Sequence, residues 1–196
     1  MRVIGITGSI AMGKSTAAAM LARRGVPVHD ADAVVHRLLA PGGAGAAAVA
    51  MRFPEVLVGN QIDRRKLGRR VFGDPNALSA LEAILHPLVR LAERAFLARC
   101  RAQRVPLAVL NVPLLFERRG MQGLAAVIVV SAPAFLQRQR VLRRPGMTEA
   151  VFQQILAQQL PDSAKRRRAD YVVPTGLGRA VTHRALARVL RKLRHA

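Results

Sequence analysis

Short, almost uninterrupted apolar runs alternate with longer helical patterns along this chain. The runs cover residues 3–7, 26–30, 107–112, 126–131 and 170–173. Strands that are apolar on both faces are typical of parallel sheets covered by helices on both sides. The alternation therefore predicts βαβ units and an α/β fold, with five strands in a doubly wound parallel sheet.

One interval between the predicted strands is much longer than a crossover connection needs. Residues 33–106 carry four helical patterns, at 34–39, 44–53, 64–71 and 76–104, the last interrupted near His86 and Pro87. Because a parallel crossover needs only about a dozen residues, we expect residues 44–104 to form a helical insertion in a single domain spanning 1–196. Such an insertion is suited to a second substrate, and packing alone is the alternative.

A second helical region, after the fourth predicted strand, is rich in arginine. The pattern at 135–144 carries four of them, at Arg138, Arg140, Arg143 and Arg144. A Pro-Gly pair breaks this helix, and Thr148 is a candidate N-cap for the next one. Basic side chains beside such a break predict a mobile lid over phosphates, at residues 138–168. The alternative for each single arginine is that it merely lies on the solvated face of a basic helix.

The run from Gly8 to Ser15, here called the P-loop, matches a phosphate-binding pattern in full. Its sequence, GSIAMGKS, fits G-x-x-x-x-G-K-[ST], follows the first predicted strand and opens a predicted helix over 15–24. Glycines let the loop N–H groups turn toward phosphate oxygens at the positive end of the helix dipole. We expect Lys14 to reach the β- and γ-phosphates and the Ser15 hydroxyl to bind Mg²⁺. A glycine turn that binds nothing is the alternative.

Only 11 residues are acidic, so the position of each carboxylate is informative. Asp30 and Asp32 flank Ala31 where the second predicted strand ends. In extended backbone this spacing places both side chains on one side, near the expected γ-phosphate. A carboxylate there accepts the proton of an attacking hydroxyl or holds hydrated Mg²⁺. The alternatives are an N-cap role for Asp32 and a plain turn role for Asp30.

Two further residues, Glu117 and His86, are candidates for the site. Glu117 follows the third predicted strand, where it either reaches the nucleophile or metal region or is an ordinary exposed acid. His86 either faces a ligand or is a core histidine with satisfied hydrogen bonds. The sequence shows no His/Cys cluster of the kind that binds zinc or iron.

The composition limits the classes of partner that the chain is expected to bind. Lys and Arg total 32 and the formal net charge is +21, which invites a nucleic-acid interpretation. The chain has no Trp and one Tyr, so platforms for base stacking are scarce, and we expect no nucleic-acid partner. A nucleic-acid-binding NTPase, with strongly salt-dependent binding, is the alternative.

Three features of the sequence predict a cytoplasmic protein without a membrane partner. The chain has one cysteine, a predicted strand at its very start and no run of about 20 apolar residues.

Several short motifs occur in one order along nearly the whole chain. They are the P-loop, VHDAD at 28–32, DRRKL at 63–67, LHP at 85–87, VPLLFE at 112–117, the stretch 137–144, Gln159 and ADYVV at 169–173. This set resembles the dephospho-coenzyme A kinases. The resemblance implies a P-loop kinase fold, with ATP and Mg²⁺ as cofactors. It also implies phosphorylation of the ribose 3′-hydroxyl of dephospho-CoA, the last step of coenzyme A biosynthesis.

The resemblance carries roles to individual positions. It makes Asp32 the general base, with Lys14 and Arg140 as the other catalytic groups. Asp30, His86 and Glu117 become acceptor-binding residues. The triphosphate is assigned to eight positions, of which Lys14 is also catalytic and Ser15 also binds the metal: Gly8, Ala11, Met12, Gly13, Lys14, Ser15, Thr16 and Arg144.

Three positions depart from the pattern of this family. Ala11 stands where similar loops carry Gly, Asn111 where an Asp is often found, and Thr175 where an Asn-containing loop is common. Another small-molecule kinase, of the nucleoside-monophosphate-kinase-like group, is the alternative among enzymes. For the assembly, we expect a monomer or a weak homo-oligomer.

Overall fold

The structure, a computed structural model, describes residues 1–117 and 122–195, and only the backbone of residue 195. The chain divides into two compact units, which are described separately: Met1–His29 with Cys100–Ala196, and Asp30–Arg99. Within the described residues, no helix combines the length and apolar character needed to cross a bilayer.

The elements follow one another in βα order with a helical stretch in between. The described strands are β1 Arg2–Thr7, β2 Val28–Asp30, β3 Leu57–Val58, β4 Gln61–Ile62, β5 Leu107–Asn111, β6 Ala126–Ser131 and β7 Tyr171–Pro174. The described helices are α1 Lys14–Ala22, α2 Ala31–Leu38, α3 Ala46–Arg52, α4 Arg64–Val71, α5 Pro75–Ala102, α6 Ala134–Leu142, α7 Glu149–Ala157, α8 Asp162–Arg167 and α9 Arg179–His195.

A five-stranded sheet in the order β2-β5-β1-β6-β7 forms the centre of the first unit. Strand β1 pairs in parallel with β5 on one side and with β6 on the other, and β6 pairs in parallel with β7. The apolar runs of these strands are buried because helices cover them, and Ile4, Ile6, Val109 and Ile128 are fully excluded from solvent. The predicted α/β fold with a five-stranded parallel sheet is confirmed.

The P-loop occupies the position at which such a sheet binds ligands. It follows the carboxyl end of β1, which lies between β5 and β6. The connection from β1 leads to β2 on one side of the sheet, whereas the connection from the adjacent strand β5 leads past β1 to β6 on the other side. Open parallel sheets bind their ligands in the crevice at such a point.

The unit Asp30–Arg99 is helical, with its own core around Val49, Phe53, Val56 and Leu67. A two-residue antiparallel pair, β3 with β4, was not predicted, because strands this short leave no periodic pattern. The unit begins at Asp30, before the predicted start of the insertion at residue 44. It ends at Arg99, before the predicted end of the insertion at residue 104. The division into one domain with an insertion at 44–104 and a lid at 138–168 stays a prediction.

The predicted interruption of the long helix at His86 and Pro87 is wrong. Helix α5 continues through Pro87 from Pro75 to Ala102. Proline inside a helix removes a backbone hydrogen bond and costs roughly 3 kcal/mol. Here Leu85 packs into the core of this unit, and tertiary packing outweighs the local cost.

Candidate active site

The two glycines of the P-loop pattern are required by close contacts. A Cβ atom on Gly8 would lie 2.7 Å from the backbone oxygen of Val130 in β6. Gly13 has φ +88°, and its Cβ would lie 3.1 Å from Thr175 Cβ. Any side chain at these positions would push the loop away from β6 or from the segment that follows β7. The glycines therefore let the loop lie directly on the sheet.

Ala11 adopts the left-handed backbone conformation, with φ +58°. An L-residue with a Cβ pays roughly 1–2 kcal/mol for this conformation, whereas glycine does not. The structure thus explains physically why glycine is the easier residue at this position, and it shows that the chain keeps the conformation with alanine.

Lys14 begins helix α1 and is held by the end of a neighbouring strand. Its Nζ donates a 3.0 Å hydrogen bond to Oδ1 of Asn111 in β5, and Asn111 is fully buried. The amide oxygen positions the ammonium group through this hydrogen bond. An ammonium group held in this loop attracts phosphate oxygens.

The start of helix α1 is suited to an anion. No side chain caps it, and its first turn contains no acidic residue. Ser15 and Thr16 lie exposed in that turn. The unsatisfied N–H groups and the positive end of the helix dipole favour a phosphate at this place.

Arg140 and Thr175 brace the P-loop from outside. The Arg140 guanidinium donates a 2.7 Å hydrogen bond to the Thr175 carbonyl and has a longer contact, 3.5 Å, with the Ala11 carbonyl. The Thr175 hydroxyl donates to the Met12 carbonyl at 2.7 Å. Arg144, the other predicted arginine, lies exposed in the turn after α6. The catalytic role of Arg140 and the nucleotide role of Arg144 stay predictions.

Two glutamines hold the backbone of Ile10. Gln159 Oε1 accepts from the Ile10 N–H at 3.0 Å, and Gln137 Nε2 donates to the Ile10 carbonyl at 2.9 Å. Gln137 is almost fully buried on α6. The sequence did not predict this contact, because the position of a single glutamine in the chain does not reveal its hydrogen-bond partner.

The carboxylates of the second unit lie at the start of helix α2. Asp30 is the N-cap, and its Oδ1 accepts from the Ala33 N–H at 3.0 Å. Asp32 is exposed in the first turn. The assumption of extended backbone through Asp32 is wrong because α2 starts at Ala31, and the cap role considered for Asp32 belongs to Asp30. The roles of both residues toward substrate stay predictions, as does that of His86, which is half-buried within α5.

A family model described as dephospho-CoA kinase matches residues 2–177 of the chain. The chain belongs to the dephospho-CoA kinase family. Its resemblance to this family, stated above on the motifs, is confirmed, and the chain is a kinase.

Curated dephospho-CoA kinases cover most of the chain. The protein of Paramagnetospirillum magneticum is 60% identical over 166 residues, which are 85% of this chain and 78% of that protein. The protein of Rhodospirillum rubrum is 58% identical, covering 94% and 88% of the two chains. The protein of Mesorhizobium japonicum is 52% identical and covers 99% and 98%.

Solved structures of other proteins are similar in fold to this chain. TT1252 from Thermus thermophilus is 39% identical with a TM-score of 0.80, over 98% of this chain and 97% of that chain. Dephospho-CoA kinase from Campylobacter jejuni is 23% identical with a TM-score of 0.66, over 100% and 98%. Shikimate kinase from Acinetobacter baumannii is 16% identical with a TM-score of 0.53, over 98% and 93%. The last two likenesses concern the fold alone.

In this member of the dephospho-CoA kinase family, Glu117 has a buried partner. Its Oε1 lies 2.9 Å from the Nζ of Lys165, whose side chain is completely buried, and it accepts from the Leu160 N–H. Burial raises the pKa of Glu117, but the hydrogen bonds from Lys165 and Leu160 outweigh it and lower the pKa below its ordinary value of 4.5. The alternative of an exposed acid is wrong, and the acceptor-binding role stays a prediction.

Lys165 gave no signal in the sequence. It opens the run Lys165-Arg166-Arg167-Arg168, whose three arginines are exposed. Charge alone does not separate the one buried cation from its neighbours, because burial depends on which face of α8 meets the sheet.

Proposed function

We propose that this chain transfers the γ-phosphoryl group of ATP to the ribose 3′-hydroxyl of dephospho-CoA, giving CoA and ADP. The observation that carries the proposal is the P-loop at the uncapped start of α1, with the charge of Lys14 held in place by a neutral amide. Membership in the dephospho-CoA kinase family supports the acceptor.

The proposed roles follow from the charges involved. Phosphoryl transfer develops negative charge on the oxygens of the moving group, and fixed cations and N–H donors stabilise that charge. In the proposal Lys14 and the start of α1 supply this stabilisation, together with Arg140. Asp32, exposed in the first turn of α2, accepts the proton of the attacking 3′-hydroxyl.

Mg²⁺ fits the donor set of this site. Among the described residues, no group of three His, Cys, Asp or Glu side chains is arranged to hold a metal ion. Mg²⁺ does not need one, because it retains several waters and binds substrate phosphates with only one or two protein oxygens. In the proposal the exposed Ser15 hydroxyl is such an oxygen, and the ion would neutralise part of the phosphate charge.

The proposal also covers the charge, the localisation, the partners and the assembly of the protein. Both substrates are polyanions, and the net charge of +21 favours their approach electrostatically. We propose a cytoplasmic enzyme without nucleic-acid or membrane partners, monomeric or weakly self-associating. Light scattering coupled to size exclusion measures the assembly directly, and salt-dependent retention of DNA or RNA by the protein would contradict the absence of a nucleic-acid partner.

The deciding experiment is a coupled ADP-release assay with ATP, Mg²⁺ and dephospho-CoA. Nucleoside monophosphates replace the acceptor in parallel reactions, and one reaction contains no acceptor. We expect rapid ADP release with dephospho-CoA alone, with CoA as the product identified by mass spectrometry.

Each other outcome of that assay has a distinct meaning. Turnover with a nucleoside monophosphate, and none with dephospho-CoA, would retain the P-loop kinase and overturn the acceptor. ADP release that appears only on addition of DNA or RNA would favour a nucleic-acid-dependent NTPase instead.

A further inference from the structure

The tip of the P-loop is a tight turn with an alanine in an unfavourable position. The Met12 N–H donates to the Ser9 carbonyl at 3.1 Å, which makes Ile10 and Ala11 the two central residues of a four-residue turn. Of these two, only Ala11 has a positive φ, +58°. A positive φ at the second central residue alone is the feature of a type II turn, in which glycine is the preferred residue.

Such a turn has an alternative with the same ends. Type I and type II turns differ by a flip of the peptide group between the two central residues, here the peptide that joins Ile10 to Ala11. The flipped form gives Ala11 a negative φ and relieves its left-handed conformation. An alanine at this position therefore pulls the turn toward the flipped form, whereas a glycine does not.

Gln137 holds the peptide that would have to flip. Its Nε2 donates to the Ile10 carbonyl at 2.9 Å, and only 5% of this residue is exposed. Gln159 Oε1 holds the N–H on the other side of Ile10 at 3.0 Å. The two glutamines flank residues 138–158, so both ends of that segment are attached to one P-loop residue.

The orientation of this peptide determines where the Ala11 N–H points. In a trans peptide the carbonyl and the N–H point in opposite directions. Because the Ile10 carbonyl turns toward Gln137, the Ala11 N–H points away from that side chain. A flip would exchange the two directions and turn the Ala11 N–H toward Gln137.

We propose that Gln137, supported by Gln159, is a positioning residue that holds the Ile10–Ala11 peptide in its phosphate-binding orientation against the preference of Ala11. This inference rests on the proposed function only in that the loop binds ATP. It makes Gln137 the compensation for alanine at the position where glycine is easier.

The test combines the loss of the donor with relief of the strain. Gln137→Met keeps the length of the side chain and removes the donor, and ATP affinity is measured by titration calorimetry with Mg²⁺ and no acceptor. We expect about tenfold weaker ATP binding, the order of magnitude set by a left-handed alanine. Adding Ala11→Gly should restore most of this loss, and its gain should be at least about fivefold larger in the Gln137→Met background than without it.

Matched controls come from the same elements. Gln139 lies exposed on α6 and Gln158 is the exposed neighbour of Gln159, so Gln139→Met and Gln158→Met should leave the ATP dissociation constant unchanged within about twofold. If Gln137→Met does not fold, Gln159→Met carries the same cycle with Ala11→Gly. A purely structural role of either glutamine would lower the melting temperature, and Ala11→Gly would then not restore ATP affinity.

The outcomes separate this inference from the proposed function. Unchanged ATP affinity in a folded Gln137→Met protein overturns the inference even if dephospho-CoA is phosphorylated. A complete rescue cycle without turnover of dephospho-CoA supports it and overturns the acceptor. If the unsubstituted protein does not bind ATP, a crystal structure of Gln137→Met decides, since a positive φ retained at Ala11 contradicts the inference.

Discussion

The tip of the P-loop and the start of helix α2 both carry residues predicted for catalysis, but they are held in different ways. The backbone of the P-loop is fixed by Gln137, Gln159 and Thr175, which are 127, 149 and 163 positions away from their partners. The start of α2 is fixed by Asp30, whose partner is 3 positions away. A local motif thus identifies the first region while distant residues hold it, whereas the second region begins with a cap that its own sequence supplies.

The largest expected effect is at Lys14. Lys14→Ala removes the charge that Asn111 positions, and we expect turnover of dephospho-CoA to fall roughly thousandfold, the scale on which a lost charge stabiliser in the transition state acts. Steady-state kinetics measures it, with Lys192→Ala on α9, an exposed lysine, as the matched control. Retained activity would remove Lys14 from the site.

A substitution of Asp32 tests the catalytic role proposed for the start of α2. Asp32→Asn keeps the shape of the side chain and removes the base, so we expect kcat to fall at least about a hundredfold while the ATP dissociation constant stays unchanged. Single-turnover kinetics together with calorimetry separates the two quantities. Near-normal turnover would show that another group accepts the proton.

The ion pair between Lys165 and Glu117 tests how far distant contacts stabilise the unit with the sheet. Lys165→Met leaves the Glu117 carboxylate buried without its cation, which costs about 3–5 kcal/mol in other proteins. We expect a loss of that size in urea unfolding. Arg166→Met, at an exposed neighbour on α8, is the control and should stay within about 0.5 kcal/mol.

The same pair gives the free energy of unfolding a pH dependence. The folded pKa of Glu117 is held below 4.5 by Lys165 and Leu160 despite burial. Its contribution is therefore complete above the unfolded pKa and is lost as the pH falls through the folded pKa. Glu117→Gln removes a titrating group, so stability should decline less steeply below pH 4.5 than in the unsubstituted protein. Parallel curves would contradict this assignment.

The smallest expected effect is at Asp30. Asp30→Ala removes the cap of α2 and should lower stability by about 1 kcal/mol, whereas Asp30→Asn, also a good N-cap, should cost much less. Urea unfolding followed by circular dichroism measures both. An equal loss in the two variants would show that the charge of Asp30, and not its capping hydrogen bond, stabilises the helix.

The sequence alone predicted the strands, the P-loop and the family because these depend on short, regular patterns. Five apolar runs mark the five strands of the sheet, and GSIAMGKS identifies the phosphate-binding loop, since strand, glycines, Lys14 and Ser15 are contiguous. The family followed from motifs in a fixed order. Even the cap at Thr148, which accepts from the Val151 N–H, was visible locally.

Only the tertiary structure decided which isolated polar residues support the loop and which are buried. Gln137, Gln159 and Lys165 stand in segments whose composition resembles that of their exposed neighbours. They differ because folding brings the two glutamines against Ile10 of the P-loop and Lys165 against Glu117. The same applies to Pro87, whose helix continues because packing exceeds a local cost. Periodic patterns are local and can be recognised in the sequence, whereas partners far apart in the sequence are brought together only by the fold.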